Sequence, residues 1–335
     1  MIIQWHITNE CNLSCPNCYQ NNYSSYTVWP DLILILKYIV DFAKKIKTKI
    51  HLNITGGEPF LHPNFFNLLE QIALYKKILC FGILSNGTSI NSEVVCNLKK
   101  YNCCFVQISI DGNEKTHNEL RGNGVYKKNI ESLKLLKKFS ITSMVSFTAA
   151  KKNHTDFSHV AELCASLKVD YLWADRLMPL RSSSISEIMN TEETECFFET
   201  MYAARQKFNS FFLRKTTIKM HRALQFLILK KYGVKKFNPY ICSAGKSLIT
   251  ILPDLTVLPC RRMPVIAGNL KNETLEEIYN NSEILIKLRG FQGFSEGCEQ
   301  CEHGLICGGG LKCLSYAING SPFKTDPQCF FKKKS

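Results

Sequence analysis

Three cysteines near the N-terminus constrain this 335-residue chain more than any other feature. Cys11, Cys15 and Cys18 follow directly after an apolar run, Ile2 to Ile7, in the spacing C-x3-C-x2-C. A tight loop with this spacing turns three thiolates toward one point, and soft thiolates suit iron–sulfur clusters or zinc. A closed structural zinc site takes four protein ligands, whereas a cluster on three cysteines leaves one iron open. The motif therefore favours an iron–sulfur cluster, with accidental spacing or a zinc finger as the alternatives.

Cysteine content and charge narrow the class of protein further. Sixteen cysteines with no signal peptide ahead of them favour metal binding in a reducing cytoplasm over disulfides. The most apolar window, Leu32 to Val40, is too short to span a membrane, and Lys37 interrupts it. The net charge of +14 predicts attraction to an acidic peptide or another polyanion. The lysines are spaced as on solvated helix faces, so we predict neither nucleic-acid nor membrane binding.

Strand-like and helix-like segments alternate about six times between residues 1 and 180. The expected strands are 2–7, 49–55, 78–84, 104–110, 142–148 and 171–176, and the expected helices are 30–45, 64–76, 91–100, 127–138 and 157–167. This alternation with short connections predicts a parallel sheet covered by helices, hence an α/β fold. Polar and glycine-rich clusters follow the strands directly. We expect these clusters and Arg176 to lie together at the carboxyl ends of the strands, where barrel folds hold their ligands.

The pattern changes after residue 180. Two longer helical segments, roughly 185–209 and 217–232, follow without intervening strands and predict a helical bridging region over 181–240. From residue 241 to residue 335, cysteine and glycine become dense and helical periodicity becomes sparse. We therefore predict three parts: residues 1–180, the bridging region, and a small cysteine-rich domain over 241–335.

The motifs of the first part resemble the radical S-adenosylmethionine (radical SAM) superfamily. The cysteine motif is followed by Gly56-Gly57-Glu58-Pro59, Ile108-Ser109-Ile110-Asp111-Gly112 and His117-x3-Arg121-Gly122-x-Gly124. The resemblance covers residues 1 to about 180 and implies a partial (β/α)6 TIM-like barrel. It also implies a four-iron–four-sulfur cluster on the three cysteines, with S-adenosylmethionine (SAM) chelating the open iron. Asn17 departs from the pattern, because the family usually carries an aromatic residue there.

The same resemblance implies which residues contact SAM. In chain order these are Tyr19, Gly56, Gly57, Glu58, Ser85, Asn86, Ser109 and Arg121. The two glycines would allow close approach of backbone to ligand, and Glu58 would hold the methionyl amino group. Arg121 would pair with the methionyl carboxylate, and Ser109 would offer it a hydroxyl. Ser85 and Asn86 would touch the methionyl or ribose part, and the backbone beside Tyr19 would meet the adenine edge.

Seven cysteines after residue 240 resemble the SPASM extension of peptide-modifying radical SAM enzymes. They are Cys242, Cys260, Cys298, Cys301, Cys307, Cys313 and Cys329. By order, the resemblance implies one auxiliary four-iron cluster on Cys298, Cys301, Cys307 and Cys329. It implies a second on Cys242, Cys260 and Cys313, whose fourth ligand is unassigned, and so three clusters in all. Two departures are the five-residue gap before Cys313 and Leu255, where the pattern has glycine.

Six further cysteines lie outside both patterns. We expect most of them to be buried thiols that act as small hydrophobic groups, with a hydrogen-atom donor among them as the alternative. These residues are Cys80, Cys96, Cys103, Cys104, Cys164 and Cys196.

Together the resemblances imply a cytoplasmic maturase that modifies a ribosomally synthesised peptide with a 5′-deoxyadenosyl radical. Thioether cross-linking is the expected reaction, because an open iron beside Cys242 would bind a substrate cysteine. The alternatives are carbon–carbon cross-linking, epimerisation, action on a small metabolite, or a non-enzymatic electron-transfer or zinc protein. Sulfatase-type maturation is not expected, because Arg261 and Arg262 follow Cys260 where those enzymes carry an aspartate.

The same reading implies partners for the chain. They are a peptide substrate with a leader, and an electron donor such as flavodoxin or ferredoxin. No peptide-clasping domain precedes Ile2, so we expect the leader to bind the barrel, the bridging helices or a separate protein.

Overall fold

The computed structural model describes residues 1–20, 23–180, 182–209, 216–237 and 240–331. The strands are β1 (Ile2–Thr8), β2 (Ile50–Gly56), β3 (Leu79–Ser85), β4 (Val106–Ser109), β5 (Ser143–Ala149), β6 (Tyr171–Arg176), β7 (Thr217–Lys219), β8 (Leu248–Ile251), β9 (Thr256–Leu258) and β10 (Gly268–Asn269). Within the described residues these strands form one sheet in the order β10-β9-β8-β1-β2-β3-β4-β5-β6-β7. All neighbours from β8 to β7 run parallel, and β9 and β10 add an antiparallel edge.

Helices connect and cover the strands. They are α1 (Trp29–Lys45), α2 (Phe65–Ala73), α3 (Ser92–Lys100), α4 (Glu114–Arg121), α5 (Val125–Lys138), α6 (Phe157–Leu167), α7 (Thr191–Phe208), α8 (Gln225–Lys231), α9 (Leu275–Asn281), α10 (Glu283–Gly290), α11 (Gly304–Cys307) and α12 (Lys312–Asn319). Side-chain caps explain several starts: Asn91 accepts a hydrogen bond from the Val94 amide, and Asn113 accepts one from the Thr116 amide. Asn190 and Glu193 form a reciprocal capping box at the start of α7.

The predicted fold class is confirmed, since β1 to β6 alternate with helices and pair in parallel as a partial (β/α)6 barrel requires. One helix was not expected. The segment Glu114–Arg121 forms α4 between β4 and α5, capped by Asn113 and ended by Gly122 at a positive φ of 117°. This helix carries Arg121 back toward the carboxyl end of the sheet.

The expectation of a bridging region without strands is wrong. Thr217–Lys219 forms β7, which pairs in parallel with β6 and extends the sheet. At the other side of the sheet, Leu248–Ile251 forms β8 and pairs with β1. The cysteine-rich C-terminal part therefore begins with a strand of the barrel sheet, so the two parts share one hydrogen-bonded framework.

Strand alternation divides the sheet into two faces. One face packs its apolar side chains under the helices, as Ile3, Trp5 and Ile7 of β1 do, each with no exposed surface. The opposite face is more polar: the Trp173 indole on β6 reaches across β5 and donates to the Gln107 side chain on β4 at 2.9 Å. A contact between strands that are not neighbours marks this face as the inside of the curved sheet.

Among the described residues, no helix has both the length and the apolar character needed to cross a bilayer.

Candidate active site

The loop that carries the first three cysteines starts at the carboxyl end of β1 and is tied to neighbouring strands. The Asn9 amide donates to the Ser25 carbonyl at 2.6 Å, which brings the loop back alongside its own start. Farther along, Asn86 donates its side-chain amide to the Asn12 side chain at 2.9 Å and to Cys11 Sγ at 3.7 Å. Cys11 is therefore held against the end of β3.

Gly56 and Gly57 hold the cysteine loop from the β2 side. The Gly57 amide donates to the Thr8 carbonyl at 2.9 Å, and the Glu58 amide donates to the Glu10 carbonyl at 2.8 Å. A Cβ atom at position 57 would collide with the Glu10 carbonyl oxygen, and one at position 56 would collide with the Thr8 carbonyl oxygen. The close approach that requires these glycines is thus made to the chain's own backbone, one residue before Cys11.

Glu58 is a fully buried carboxylate at the centre of this edge. Its oxygens accept hydrogen bonds from Ser85 Oγ at 2.9 Å and from the Asn86 amide at 2.8 Å. Burial raises the pKa of Glu58 to about 7, although these hydrogen bonds oppose the shift. The structure thus brings three predicted SAM contacts, Glu58, Ser85 and Asn86, into one hydrogen-bonded group beside Cys11.

Arg121 lies beside Cys15 and is already paired. Its guanidinium donates to Asp111 Oδ2 from Nε at 2.7 Å and from Nη2 at 2.5 Å. Burial raises the pKa of Cys15, and the Arg121 charge opposes that rise. Ser109 ends β4 nearby, with its hydroxyl 3.4 Å from the Ser146 hydroxyl. Arg121 therefore lies beside the first cysteine motif with Asp111 as its carboxylate partner, and its pairing with SAM stays a prediction.

Tyr19 joins the first cysteine loop to the C-terminal part. The Arg261 guanidinium lies over the Tyr19 ring at 4.5 Å and donates to the Tyr19 carbonyl at 3.4 Å. His6 on β1 makes an edge contact with the same ring, at 6.1 Å between centroids. Burial and the nearby Arg261 lower the pKa of His6 to about 3, so this imidazole stays neutral at physiological pH.

The four cysteines that we assigned to one auxiliary cluster line a single cavity. Cys298, Cys301, Cys307 and Cys329 surround it together with Phe226 and Phe331, among other residues. Burial raises the pKa of Cys307 to about 12 and that of Cys329 to about 11, and the neighbouring thiols add to both shifts. Thiols with such raised pKa values are neutral by themselves and ionise when a bound metal compensates the charge of the thiolates. Four such thiols around one cavity therefore fit an iron–sulfur cluster.

The remaining three cysteines also come together, close to the barrel mouth. Cys242 and Cys260 pack against Cys313, and both thiols raise the pKa of Cys313 beyond the large effect of burial. Arg262, two residues after Cys260, donates to Asp175 Oδ2 at 2.6 Å. Asp175 lies near the end of β6, so this ion pair places the three-thiol site at the carboxyl edge of the barrel sheet.

Arg176 does not face the mouth as predicted. Its guanidinium is fully buried and forms a two-pronged pair with Asp326, with distances of 2.9 and 2.6 Å. Asp326 also accepts the Leu311 amide at 2.8 Å. Arg176 therefore anchors the C-terminal part to the barrel, and the residue before it, Asp175, faces the mouth instead.

Comparison with known families agrees with both halves of this arrangement. Residues 5–164 match the family described as the Radical SAM superfamily. Residues 242–302 match the SPASM family, described as an iron–sulfur cluster-binding domain. The chain is a radical SAM/SPASM enzyme. The second match ends at residue 302, before Cys307 and before the five-residue gap that precedes Cys313.

Curated relatives of this radical SAM/SPASM enzyme align with nearly its whole length. An AdoMet-dependent heme synthase from Methanosarcina barkeri is 26% identical over 343 residues, covering 99% of this chain and 96% of the relative. An AdoMet-dependent heme synthase from Oleidesulfovibrio alaskensis is 23% identical, covering 99% of this chain and 88% of the relative.

Solved structures share the fold at lower identity. Streptococcus suis SuiB bound to its precursor peptide SuiA has a TM-score of 0.75 and 17% identity, covering 97% of this chain and 74% of SuiB. The enzyme anSMEcpe with bound AdoMet has a TM-score of 0.78 and 18% identity, covering 98% of this chain and 94% of that one.

Sequence reasoning missed three features of the site. The contact of Arg261 with Tyr19, the pair of Arg262 with Asp175, and the buried His6 all depend on how the C-terminal part packs on the barrel. The position of the two arginines directly after Cys260 marks them in the sequence, but no local signal indicates their partners.

Of the six cysteines outside the two patterns, Cys164 is buried, whereas Cys96, Cys104 and Cys196 are exposed. The expectation that most of them act as buried hydrophobic groups is therefore wrong.

Proposed function

We propose that this radical SAM/SPASM enzyme modifies a ribosomally synthesised peptide, with thioether cross-linking as the reaction. The observation that carries the proposal is the three-thiol site of Cys242, Cys260 and Cys313 beside the barrel mouth. A four-iron cluster on three protein thiolates keeps one coordination position for an outside ligand. A substrate cysteine bound there would be held next to the edge where SAM binds.

The chain's own residues fit SAM and a cluster at the first site. Burial raises the pKa of both Cys11 and Cys15, so their thiolates require a compensating cation such as iron. Glu58 would accept a hydrogen bond from the methionyl amino group, and Ser85 and Asn86 orient the Glu58 carboxylate for that contact. With cluster and SAM bound, reductive cleavage of SAM supplies a 5′-deoxyadenosyl radical that abstracts a hydrogen atom from the substrate.

Two residues have revised roles in this proposal. Arg121 is engaged by Asp111, so we assign it to lowering the pKa of Cys15 and to orienting the SAM carboxylate through its remaining N–H groups. Tyr19 is stacked by Arg261, which fixes the backbone that would meet the adenine edge. Ser109, Gly56 and Gly57 keep the loop ends in register around these groups.

The mouth also has a place for a substrate carboxylate. Arg262 is paired with Asp175, whereas Arg261 forms no ion pair with a carboxylate in the described part of the chain. Its Nε is buried without a hydrogen-bond partner there. We therefore propose that Arg261 binds an acidic side chain or a backbone carboxylate of the substrate, as the net charge of +14 favours.

Structural and sequence relatives support different substrates. SuiB binds a precursor peptide while sharing the fold of this chain, which supports the peptide proposal. The near full-length alignment with AdoMet-dependent heme synthases favours a second candidate, an iron porphyrin precursor of heme. Either substrate can present a carboxylate to Arg261. For the peptide we also propose a separate leader-binding protein and a flavodoxin or ferredoxin as electron donor.

An anaerobic assay with both substrates separates the candidates. The reconstituted enzyme, SAM and a reductant are incubated either with a cysteine-containing peptide encoded beside the gene or with the iron porphyrin. The masses of the products are then measured by mass spectrometry. A peptide lighter by about two mass units whose cysteine resists alkylation is the expected result. Heme formation with an unchanged peptide would reject the peptide proposal, and deuterium uptake from heavy water without a cross-link would indicate epimerisation.

A further inference from the structure

Three side chains at the end of the barrel opposite the SAM site form a compact group of metal-ligand atoms. His51 lies near the start of β2, Cys80 near the start of β3, and Cys104 just before β4. Of all the described residues, these three are the one group of histidine, cysteine and acidic side chains whose ligand atoms lie within 4.8 Å of one another. We propose that His51, Cys80 and Cys104 bind one Zn²⁺ ion.

The sheet register fixes this juxtaposition. His51 and Cys80 are paired positions on neighbouring parallel strands, so their side chains leave the sheet on the same face. The Cys104 amide donates to the Phe81 carbonyl at 2.8 Å and continues the pairing onto the next strand. The His51 ring stacks on Phe105 with an interplanar angle of 3° and a centroid distance of 5.4 Å. The imidazole is thus held in one orientation by rigid neighbours.

The distances suit a single ion. His51 Nδ1 lies 3.1 Å from Cys80 Sγ. Around a tetrahedral zinc ion, bond lengths of about 2.05 Å to nitrogen and 2.3 Å to sulfur place these two ligand atoms about 3.5 Å apart. A shift of a few tenths of an ångström therefore brings this pair to zinc-binding distances, and the Cys104 sulfur lies within 4.8 Å of both atoms. Cys104 is exposed, so the ion can enter from solvent and water can fill the fourth position.

A second observation concerns the other side of the imidazole. The His51 Nε2 atom and the Asn53 side-chain oxygen are both buried, and they interact with each other without reaching full hydrogen-bond geometry. Asn53 stands two residues after His51 on the same face of β2. When Nδ1 binds a metal, Nε2 carries the proton and donates it, and a side-chain carbonyl is a usual acceptor for that proton. Zinc binding at Nδ1 would thus fix the proton on Nε2, where the Asn53 oxygen can accept it.

The donor set selects the metal class. Two thiolates and one imidazole are the ligands that zinc prefers, and they match neither calcium nor magnesium. Binding Zn²⁺ releases the two thiol protons, so two thiolates neutralise the ion and no electron is transferred. The three ligands come from the starts of three consecutive strands, so the ion would link these strands at the end of the barrel opposite the iron–sulfur sites.

The test measures zinc on the iron-loaded enzyme, where iron content reports separately on the clusters. After incubation with ZnCl₂ and desalting, we expect about one zinc per chain, and zinc K-edge absorption with about two sulfur neighbours at 2.3 Å and one imidazole. Cys80→Ser/Cys104→Ser should lose this zinc and keep its iron. Asn53→Ala should weaken zinc binding by about 10- to 100-fold. Cys96→Ser, at another exposed cysteine, is the matched control and should retain the zinc.

Four outcomes would overturn the proposal. Three concern zinc: its retention by the double variant, its coordination by sulfur alone, and its absence from the wild-type enzyme. A Cys80–Cys104 disulfide found by mass spectrometry in the anaerobically purified enzyme would also overturn it, because those sulfurs would then not ligate a metal.

Discussion

At the residue scale, the site depends on side chains whose charge state or partner is set by burial. Glu58 is a carboxylate with no exposed surface, and Arg261 is a guanidinium without an ion pair in the described residues. Both groups are held at the carboxyl edge of the sheet, one beside Cys11 and one over Tyr19. Glu58 would contact SAM, and Arg261 would contact the substrate. Because the two ligands differ, variants of the two residues can be tested separately.

The first prediction concerns the pH dependence of SAM binding. Because burial raises the pKa of Glu58 to about 7, the group is mostly neutral at pH 6 and mostly ionised at pH 8. The ionised form is the stronger acceptor for the methionyl amino group, so SAM affinity should rise by up to about tenfold over this range. Equilibrium dialysis under anaerobic conditions measures it. Glu58→Gln should bind weakly with no such rise, and an equal rise in that variant would exclude Glu58 as the group responsible.

The second prediction concerns Arg261. Arg261→Gln should raise the KM for the substrate by about 10- to 100-fold, because it removes a charge-assisted hydrogen bond. SAM cleavage without substrate should continue, with weaker SAM binding because Tyr19 loses the guanidinium that stacks on it. Arg289→Gln is a matched control, since Arg289 also stacks on a tyrosine ring, that of Tyr279, at 4.2 Å. Steady-state kinetics at several substrate concentrations distinguish the two variants, and equal KM values would contradict the proposed carboxylate contact.

At the element scale, short hydrogen-bonded segments position the cysteine loops. The turn after β2 holds the loop after β1 through backbone hydrogen bonds, and the end of β3 holds it through Asn86. On the other side, α4 returns Arg121 to Cys15. The geometry of the first cysteine motif is therefore a property of three strand ends and one helix.

The third prediction follows from the contact of Gly57 with that loop. Gly57→Ala places a methyl group against the Glu10 carbonyl and should displace the segment that leads to Cys11. We expect a loss of about four iron atoms per chain, with about 1–3 kcal/mol of destabilisation from overpacking. Gly290→Ala is the control, because nothing lies within 4 Å of a Cβ atom there. Unchanged iron content in Gly57→Ala would show that the loop does not depend on this close approach.

Sequence periodicity predicts the six β/α repeats because each strand and helix carries its own apolar pattern. It fails at β7 and β8, which are three and four residues long, because so short a segment shows no period. The first cysteine motif is predictable, since its ligands are neighbours in sequence. His51, Cys80 and Cys104 are not, because only strand register brings residues so far apart in sequence together.

At the scale of the whole molecule, the barrel and the C-terminal part are joined in two ways. The parallel pairing of β8 with β1 makes them one sheet, and the buried pair of Arg176 with Asp326 locks the end of β6 to the last cysteine loop. Both links hold the three-thiol site at the mouth, where the proposed reaction requires it.

The fourth prediction tests the buried pair. Arg176→Met leaves Asp326 as an uncompensated buried charge and should lower the free energy of unfolding by about 3–5 kcal/mol. Arg176→Met/Asp326→Asn removes both charges, so it should be less destabilised than the sum of the two single variants. Urea unfolding followed by circular dichroism provides the values. Additive effects would mean that the two side chains contribute independently.

The central claim is that Cys11, Cys15 and Cys18 support SAM cleavage, whereas Cys242, Cys260 and Cys313 serve the substrate. The most direct measurement is the 5′-deoxyadenosine formed under anaerobic reducing conditions by three variants, Cys15→Ala, Cys260→Ala and the exposed-site control Cys96→Ala. We predict no 5′-deoxyadenosine from Cys15→Ala, normal amounts without modified product from Cys260→Ala, and wild-type behaviour from the control. Continued 5′-deoxyadenosine formation by Cys15→Ala would contradict the account.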